Sequence, residues 1–310
     1  MRRDYSLFGL KVRSELELPE LFAAEHASSP DVTIAIGKVP GSKREAGLHA
    51  FDGSLTLVIP DVATFRVQDG AFITVEPLSG VPERNIRLYL LGSAFGAVLH
   101  QRGLLPLHAN AIEIDSRAVA FMGHSGAGKS TLAAWFHDRG HRIIADDVCV
   151  VQVNGDGRPR AAPGLPRLRL WLEVLEATGR TSDHYHRSYV GDEQFEKFDV
   201  PVSPEVSVDE HLEFAAIYVL EEGDRFAIEP LTGVEAADAV FANTYRGSYV
   251  AAAEGQLEHW KACMRLVREV PILRLQRPWG LDRLNEDCKQ LLQMLTTSPF
   301  QKQLSSGGRR

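Results

Sequence analysis

Short bursts of alternating apolar and polar residues occupy about the first 80 positions of the chain. The bursts cover residues 7–12, 32–36, 55–59, 65–67 and 72–75, and Gly, Pro, Asp and Ser separate them. Alternation places every second side chain on the same face of a strand. The pattern therefore predicts a small, mainly antiparallel β region.

The apolar spacing changes to that of a helix over residues 87–101. Leu88, Leu91, Phe95 and Val98 share one face there, which predicts a helix that is buried on one broad side and joins the β region to the rest of the chain. Strands are then predicted at 109–114 and 118–122, a helix at 130–138 and a strand at 142–145. A right-handed crossover within this unit brings the end of the last strand close to residue 123.

Further along the chain, the patterns predict strands at 149–153, 214–220, 225–229 and 272–275, with helices at 234–243, 257–268 and 281–295. Residues 155–211 are the least regular, rich in Pro and Gly, and we expect a substrate-facing excursion there. The fold class that follows is α/β. It comprises a mainly β N-terminal domain at 1–85, a P-loop catalytic domain at 86–300 and a disordered tail at 301–310.

Between the strand at 118–122 and the helix at 130–138 lies the sequence GHSGAGKS, residues 123–130, which fits the pattern G-x-x-x-x-G-K-[ST]. Glycines let successive backbone amides point at an anion, and the helix N-terminus adds partial positive charge. Lys129 would reach the β- and γ-phosphates, and the Ser130 hydroxyl would bind Mg²⁺. The sequence thus predicts a nucleoside triphosphate site. Its contact residues are Gly123, Ser125, Gly126, Ala127, Gly128, Lys129, Ser130 and Thr131.

Two other interpretations of this loop are open. The first is a glycine-rich strand-to-helix turn in which Lys129 is incidental. The second is a nucleophile elbow G-x-S-x-G, but its fifth position is Ala127, and a hydrolase has no use for the Lys-Ser pair that follows.

Asp146 and Asp147 end the strand that the crossover brings to the loop. Adjacent carboxylates at a strand end point to different sides. One can therefore interact with the hydration shell of Mg²⁺ while the other takes the proton of an incoming hydroxyl. The alternative is that both aspartates are hydrated loop residues with no chemical role.

Composition and charge narrow the class of protein. The chain has 310 residues, 44% of them hydrophobic, and a formal net charge of −7, which argues against a nucleic-acid partner. Its three cysteines lack metal-site spacing, and neither a signal-peptide core nor an apolar stretch of membrane-spanning length is present. We expect a cytoplasmic protein that has no membrane partner. Whether it forms a homo-oligomer is open.

His108 precedes the strand before the loop, and RGHRIIADD, residues 139–147, closes the next strand. Together with the loop, these residues resemble the catalytic domain of the HPr kinase/phosphorylase family. The resemblance covers residues 104–153. It implies ATP and Mg²⁺ as cofactors, His108 as an active-site histidine, Asp146 as the base toward a serine hydroxyl, and Lys129 on the triphosphate. Asp147 would support His108 or, with Ser130, the metal.

The glycine-rich signature segment of that family is not recognisable in residues 155–211, where PGLPRLRLW, residues 163–171, stands instead. The chain looks more like the HPr kinase-related proteins encoded beside peptide-modification genes, including those that phosphorylate lasso-peptide precursors. The resemblance thus implies a peptide or protein partner with an acceptor serine. A nucleotide-binding regulator or scaffold and a small-molecule kinase are alternatives.

Several basic residues are candidates for contact with phosphate or substrate. Lys197, Arg246 and Arg167 are candidates because a cation from a distant loop often closes over a nucleotide. The alternative for each of them is an ordinary solvated surface charge. A basic wall for an acidic peptide group is a further expectation. Its members are Arg167, Arg169, His184, His186 and Arg187.

Overall fold

The computed structural model describes residues 2–25, 29–40, 45–153, 155–202 and 210–297. Within these residues the chain is a mixed α/β protein with sheets of seven, nine and three strands. The tail expected at 301–310 lies outside the described residues. So does part of the segment expected to be irregular, at 203–209. Within the part of the chain that is described, no helix combines the length and the apolar character needed to cross a bilayer.

The seven-stranded sheet contains the N-terminal strands in the spatial order β1-β2-β3-β7-β6-β5-β4. The strands are β1 (Arg3–Leu7), β2 (Leu10–Ser14), β3 (Val32–Ile36), β4 (Gly47–Phe51), β5 (Ser54–Ile59), β6 (Ala63–Gln68) and β7 (Phe72–Pro77). The pairs β2–β3 and β3–β7 are parallel, and the other four pairs are antiparallel. The prediction of a mainly antiparallel sheet therefore holds.

The burst at 7–12 is a hairpin rather than one strand. Phe8 and Gly9 adopt positive φ angles of 54° and 72° and reverse the chain. A side chain at Gly9 would also displace the His211 ring, because an added Cβ would lie 2.6 Å from Nε2 of His211. The alternation continues through the turn, so the apolar pattern alone does not reveal it.

A long helical segment covers one face of this sheet. It consists of α1 (Glu83–Tyr89), a π-helical turn at Leu90–Ala94, and α2 (Phe95–Gln101). Its buried residues form one hydrophobic cluster with the strands, including a contact of 6.4 Å between the ring centroids of Phe8 and Phe95. The helix predicted at 87–101 is present and begins one turn earlier.

The remaining elements follow in chain order. They are β8 (Leu105–Leu107), β9 (Ala109–Ile114), β10 (Arg117–Met122), α3 (Lys129–His137), β11 (Ile143–Ala145), β12 (Cys149–Val153), β13 (Pro159–Ala161), β14 (Arg167–Trp171), α4 (Leu172–Ala177), β15 (His186–Arg187), β16 (Lys197–Pro201), β17 (Leu212–Glu222), β18 (Ala227–Leu231), α5 (Gly233–Ala242), α6 (Ser248–Ala252), α7 (Gln256–Glu269), β19 (Ile272–Arg277) and α8 (Leu284–Thr297).

The nine-stranded sheet positions the loop at 123–130. Strand β10 lies between antiparallel β9 and parallel β17, and β19 pairs in parallel with β17. Strand β11 pairs with the far side of β9, so one antiparallel strand separates it from β10. Since β9 is antiparallel to both, β10 and β11 run in the same direction. Their carboxyl ends therefore lie at the same edge of the sheet.

The segment expected to be irregular contains strands and a helix. Strands β14, β16 and β15 pair in that order as a small antiparallel sheet, and α4 follows β14 directly. Leu168 and Leu170 of β14 are fully buried. The segment is therefore more regular than its sequence indicates, and its role as a substrate-facing excursion stays a prediction. Its prolines and glycines separate short elements, and the alternation in 167–171 is the strand signal.

Candidate functional site

The loop at 123–130 connects β10 to α3, and positive φ angles give it its shape. Gly123, Gly126 and Gly128 have φ angles of 152°, 89° and 84°. A Cβ added to Gly123 would lie 3.0 Å from the carbonyl oxygen of Leu220, and one added to Gly128 would lie 2.7 Å from Nη2 of Arg277. Backbone conformation thus favours glycine at both positions; a side chain at 123 would also crowd the backbone of Leu220, and one at 128 would displace the Arg277 guanidinium.

Lys129 lies over the loop with its side chain buried. Its Nζ donates to the carbonyl oxygens of Gly123 at 2.7 Å and His124 at 3.0 Å. Burial lowers the pKa of Lys129 to about 8, against the opposing effect of Asp147 and Asp146. A phosphate anion in the loop would lie closer to this ammonium group than a carboxylate that only acts from a distance, and would favour its charged form.

Asp146 is 4% exposed and lies beside the start of α3. Its Oδ1 accepts hydrogen bonds from the Ser130 hydroxyl at 3.1 Å and from Nδ2 of Asn110 at 2.8 Å, and its Oδ2 accepts one from the amide of Arg169 at 2.7 Å. Burial, together with the charge of Asp147, raises the pKa of Asp146 to about 6. This carboxyl group thus titrates close to neutral pH.

Asp147 points away from its neighbour because the chain turns sharply at this position. Its φ is 69°, and the amide of Val148 donates to the carbonyl oxygen of Asp146 at 2.8 Å, which closes a three-residue turn. The Asp147 side chain is 35% exposed. The adjacent carboxylates therefore lie on different sides, as the sequence predicts.

His108 and Arg169 hold the Asp147 carboxylate. His108 Nδ1 lies 3.3 Å from Oδ1 of Asp147 and 3.1 Å from its carbonyl oxygen, and Arg169 Nη1 lies 3.6 Å from Oδ2. Burial favours the neutral acid, but the positive charges of Arg169, His108 and Lys197 outweigh it and lower the pKa of Asp147. Burial, and then the charge of Lys129, lowers the pKa of His108.

Asp199 anchors the arginines of the small sheet. Its Oδ2 accepts hydrogen bonds from Arg84 at 2.8 Å and Arg167 at 3.0 Å, and its Oδ1 accepts one from the Ser188 hydroxyl at 2.7 Å. Nε of Arg169 lies 3.6 Å from Oδ1. Arg169 therefore bridges Asp199 and Asp147, which fixes its position beside the loop.

The three basic candidates have different surroundings. Lys197 lines the cleft and lies 4.8 Å from the centroid of the Trp171 ring. Arg246 lies behind His108, where its Nη2 donates to the Ser93 hydroxyl at 2.8 Å. Arg167 is buried against Asp199 and does not line the cleft. The structure thus brings Lys197 to the loop but not Arg167.

The expected basic wall is not a continuous surface. Arg167 and Arg169 point to Asp199, whereas Arg187 pairs with Glu196. Of the five residues, only Arg169 lines the cleft.

A cleft of about 170 Å³ connects these groups. It is lined by His108, Asn110, Ser125, Gly126, Gly128, Lys129, Ser130, Thr131, Asp147, Arg169, Leu170, Trp171, Glu173, Val174 and Lys197. Its lining combines the glycines of the loop and the ammonium groups of Lys129 and Lys197 with the ring of Trp171, whose centroid is 4.8 Å from Nζ of Lys197. The cleft is therefore suited to an anion that has a less polar group attached.

The oxygens beside Ser130 fit a magnesium ion. Oδ1 of Asn110 is buried and has no hydrogen-bond partner among the described residues, although Nδ2 of the same amide binds Asp146. Mg²⁺ prefers oxygen ligands, and it retains several of its water molecules. Ser130 and Asn110 present such oxygens next to each other, and both contact Asp146. Asp147, the expected partner of Ser130 in metal binding, contacts His108 and Arg169 instead.

The sequence prediction omits Asn110 and gives Arg169 a different role from the one it has in the structure. Asn110 is a fully buried amide within the otherwise apolar strand β9, and that interruption is a usable signal. Arg169 was expected only in the basic wall, because nothing local shows that it faces Asp147. Its partner Asp199 lies two strands away in the chain.

No family model matches the chain, and no curated protein matches it either. Among solved structures, it is similar to the HPr(Ser) kinase/phosphatase from Coxiella burnetii. The sequence identity is 13% and the TM-score is 0.34, and the alignment covers 66% of this chain and 99% of that chain.

Proposed function

We propose that the chain is an ATP- and Mg²⁺-dependent kinase that transfers the γ-phosphoryl group to a serine hydroxyl of a peptide or protein. The observation that carries the proposal is the contact between the Ser130 hydroxyl and Asp146 at 3.1 Å. Ser130 lines the cleft beside the loop of phosphate-binding sequence, and the buried carboxylate of Asp146 is in direct contact with it. Phosphoryl transfer needs both, because the phosphates must be held while the acceptor loses its proton.

The loop and Lys129 bind and orient the phosphates. The amides of residues 123–130 surround the anion, and the ammonium group of Lys129 exchanges its carbonyl partners, Gly123 and His124, for phosphate oxygens. Lys197 adds a second cation from the opposite wall. Mg²⁺, held by the Ser130 hydroxyl and Oδ1 of Asn110, would neutralise negative charge on the phosphates, and Asp146 beside them is left for proton transfer.

Asp146 is the group that we propose as the base. A pKa of about 6 leaves this carboxylate charged at neutral pH while it still has appreciable proton affinity. Asp147 has a lowered pKa and is committed to Arg169 and His108, which suits positioning better than proton transfer. Its carboxylate orients the His108 ring beside the cleft.

The lasso-peptide precursor remains the proposed acceptor. It rests on the segment at 163–171, which the resemblance matched to peptide-modifying kinases. In the structure, Trp171 ends this segment at the cleft, where it is 40% exposed. An exposed aromatic side chain next to the phosphate site suits an acceptor with an apolar residue near its serine.

The direct test is phosphate transfer from γ-labelled ATP to serine-containing peptides in the presence of Mg²⁺. We expect labelled peptide with the wild-type chain, none with Lys129→Ala, and a severe reduction with Asp146→Asn. Arg158→Ala, which removes an exposed cation from an ion pair with Glu213 away from the cleft, is the matched control. Tight ATP binding with neither transfer nor hydrolysis would favour the regulator or scaffold instead.

A further inference from the structure

Trp279 lies against the outer side of the phosphate loop. It follows the end of β19 by two residues, and its ring centroid is 4.9 Å from that of His124, the second residue of the loop. His124 is exposed, whereas Trp279 is partly buried against the core. The two rings form an aromatic pair at the rim of the loop, outside the cleft described above.

The sheet order places this pair on the side of the loop opposite to the carboxylates. Strands β11 and β9 lie on one side of β10, and β17 and β19 lie on the other. Asp146 follows β11, and Trp279 follows β19. A triphosphate whose terminal phosphorus faces Asp146 extends across the carboxyl end of β10. Its nucleoside is then directed toward the carboxyl ends of β17 and β19, where ligands of parallel sheets bind.

Two polar groups at this end have unused hydrogen-bonding capacity. Nε1 of Trp279 and Nε of Arg277 are buried and have no hydrogen-bond partner among the described residues. The Arg277 guanidinium lies against Gly128, and its distance to the Asp287 carboxylate is 3.8 Å, longer than a hydrogen bond. A buried donor without an acceptor is costly, and a ligand that supplies one repays that cost.

We propose that His124 and Trp279 form the nucleobase site, with Arg277 beneath the loop as a cation for the phosphate or ribose side. The inference rests on the proposed function, because it takes a nucleoside triphosphate as the ligand. An aromatic side chain stacks on any base, since every base presents a π face. The site therefore tolerates adenine and guanine and contributes affinity rather than strict selection.

The test is calorimetric titration of ATP and of inorganic tripolyphosphate, each with Mg²⁺, into four proteins. These are the wild type, Trp279→Ala, His124→Ala and Trp260→Ala. Trp260 is an exposed tryptophan on α7, outside the cleft, and serves as the matched control. Tripolyphosphate has no base, so it reports on the phosphate loop alone.

We expect Trp279→Ala to weaken ATP binding about tenfold or more and to leave tripolyphosphate binding within twofold of the wild type. His124→Ala should weaken ATP binding in the same direction by a smaller factor, and Trp260→Ala should change neither ligand. Trp279→Phe, which keeps an aromatic face, should retain most of the ATP affinity.

Two results would overturn the inference while leaving the kinase proposal intact. One is ATP binding that Trp279→Ala does not weaken, particularly if Trp171→Ala weakens ATP alone, since that places the base in the cleft. The other is equal weakening of ATP and tripolyphosphate by both Trp279→Ala and His124→Ala, which means damage to the loop. A wild-type chain that binds neither ligand would contradict the proposed function itself.

Discussion

The hydroxyl of Ser130 donates to Oδ1 of Asp146 across 3.1 Å and thereby joins the first turn of α3 to the end of β11. The two residues are 16 positions apart, and the helix between them carries the chain over the sheet. Because both ends of this crossover meet at one edge, a carboxylate of raised pKa lies in contact with the first turn of the helix that follows the phosphate-binding loop.

Asp146→Asn should reduce phosphate transfer by about 10²- to 10⁴-fold, the usual contribution of a positioned base. The amide has nearly the same shape, and its oxygen can still accept the hydrogen bond from Ser130 or Asn110. ATP affinity should therefore change little. Transfer kinetics and calorimetry on the same preparations check this. Asp147→Asn is the comparison: a greater loss of transfer there than with Asp146→Asn would reverse the proposed roles.

The same substitution should stabilise the protein at neutral pH. The folded pKa of Asp146 is raised to about 6 from an ordinary value of 3.8, so the folded state binds this proton more tightly than the unfolded state. In the wild type, the protonated Asp146 side chain contributes its full share of the unfolding free energy below about pH 4. This contribution is lost as the pH rises to 6. Asn cannot titrate. The gain of Asp146→Asn should thus be on the order of 3 kcal/mol at pH 7.5 and near zero at pH 4.

Thermal or urea unfolding of both proteins, without nucleotide and at these two pH values, measures the difference. A variant that is less stable than wild type at pH 7.5 would contradict a raised pKa at this site. It would indicate instead that the three hydrogen bonds to Asp146 outweigh its burial.

Much of this site can be predicted from local sequence, and the reason is physical. Residues 123–130 set their own backbone shape through glycine, and the strand and helix on either side follow from apolar spacing. The position of Asp146 near Ser130 follows from the handedness of the crossover alone. These features depend on neighbours in the chain and on general rules of chirality.

The features that the sequence does not reveal depend on distant pairs. Asp199 and Arg84 form an ion pair although they are 115 residues apart in the chain. The small sheet that contains Asp199 was expected to be irregular. The contact between Arg277 and Gly128 likewise requires β19 to lie two strands from β10. Nothing in the residues around Asp199 or Arg277 distinguishes these contacts from ordinary surface charges.

Nucleotide affinity should fall as the pH rises through about 8. Lys129 is charged below that value in the free protein, since its pKa is lowered to about 8. Above pH 8, Lys129 is mostly neutral, so it must take up a proton when a phosphate binds. Affinity therefore falls with each further increase in pH. Calorimetric titration of tripolyphosphate at pH 7.5 and 9, in buffers of different ionisation enthalpy, measures this proton uptake. Lys129→Arg, which stays charged, should show no such uptake; uptake of the same size in that variant would assign it to another group.

Gly128→Ala should abolish nucleotide binding and destabilise the fold. Position 128 has a φ of 84°, and the new methyl group would lie 2.7 Å from Nη2 of Arg277. Gly140→Ala is a close control, because Gly140 has the same φ of 84° and open space around its Cβ position. It should cost about 1 kcal/mol from the backbone alone. Urea unfolding and tripolyphosphate titration compare the two variants. Equal losses of unfolding free energy would mean that the Arg277 side chain moves aside without destabilising the fold.

Asp199→Asn should destabilise the protein by roughly 3–5 kcal/mol, because it removes the carboxylate that Arg84 and Arg167 share. The side chain of Asp199 is only 11% exposed, so water cannot replace the lost charge. Arg169 would also lose one of its two anchors, and transfer activity should fall even at temperatures where the variant is folded. Asp156→Asn is the matched control: it removes a carboxylate from an exposed pair with Arg160 and should change stability far less. Urea denaturation of the two variants measures the contrast, and similar midpoints would show that the cations around Asp199 are solvated rather than dependent on its charge.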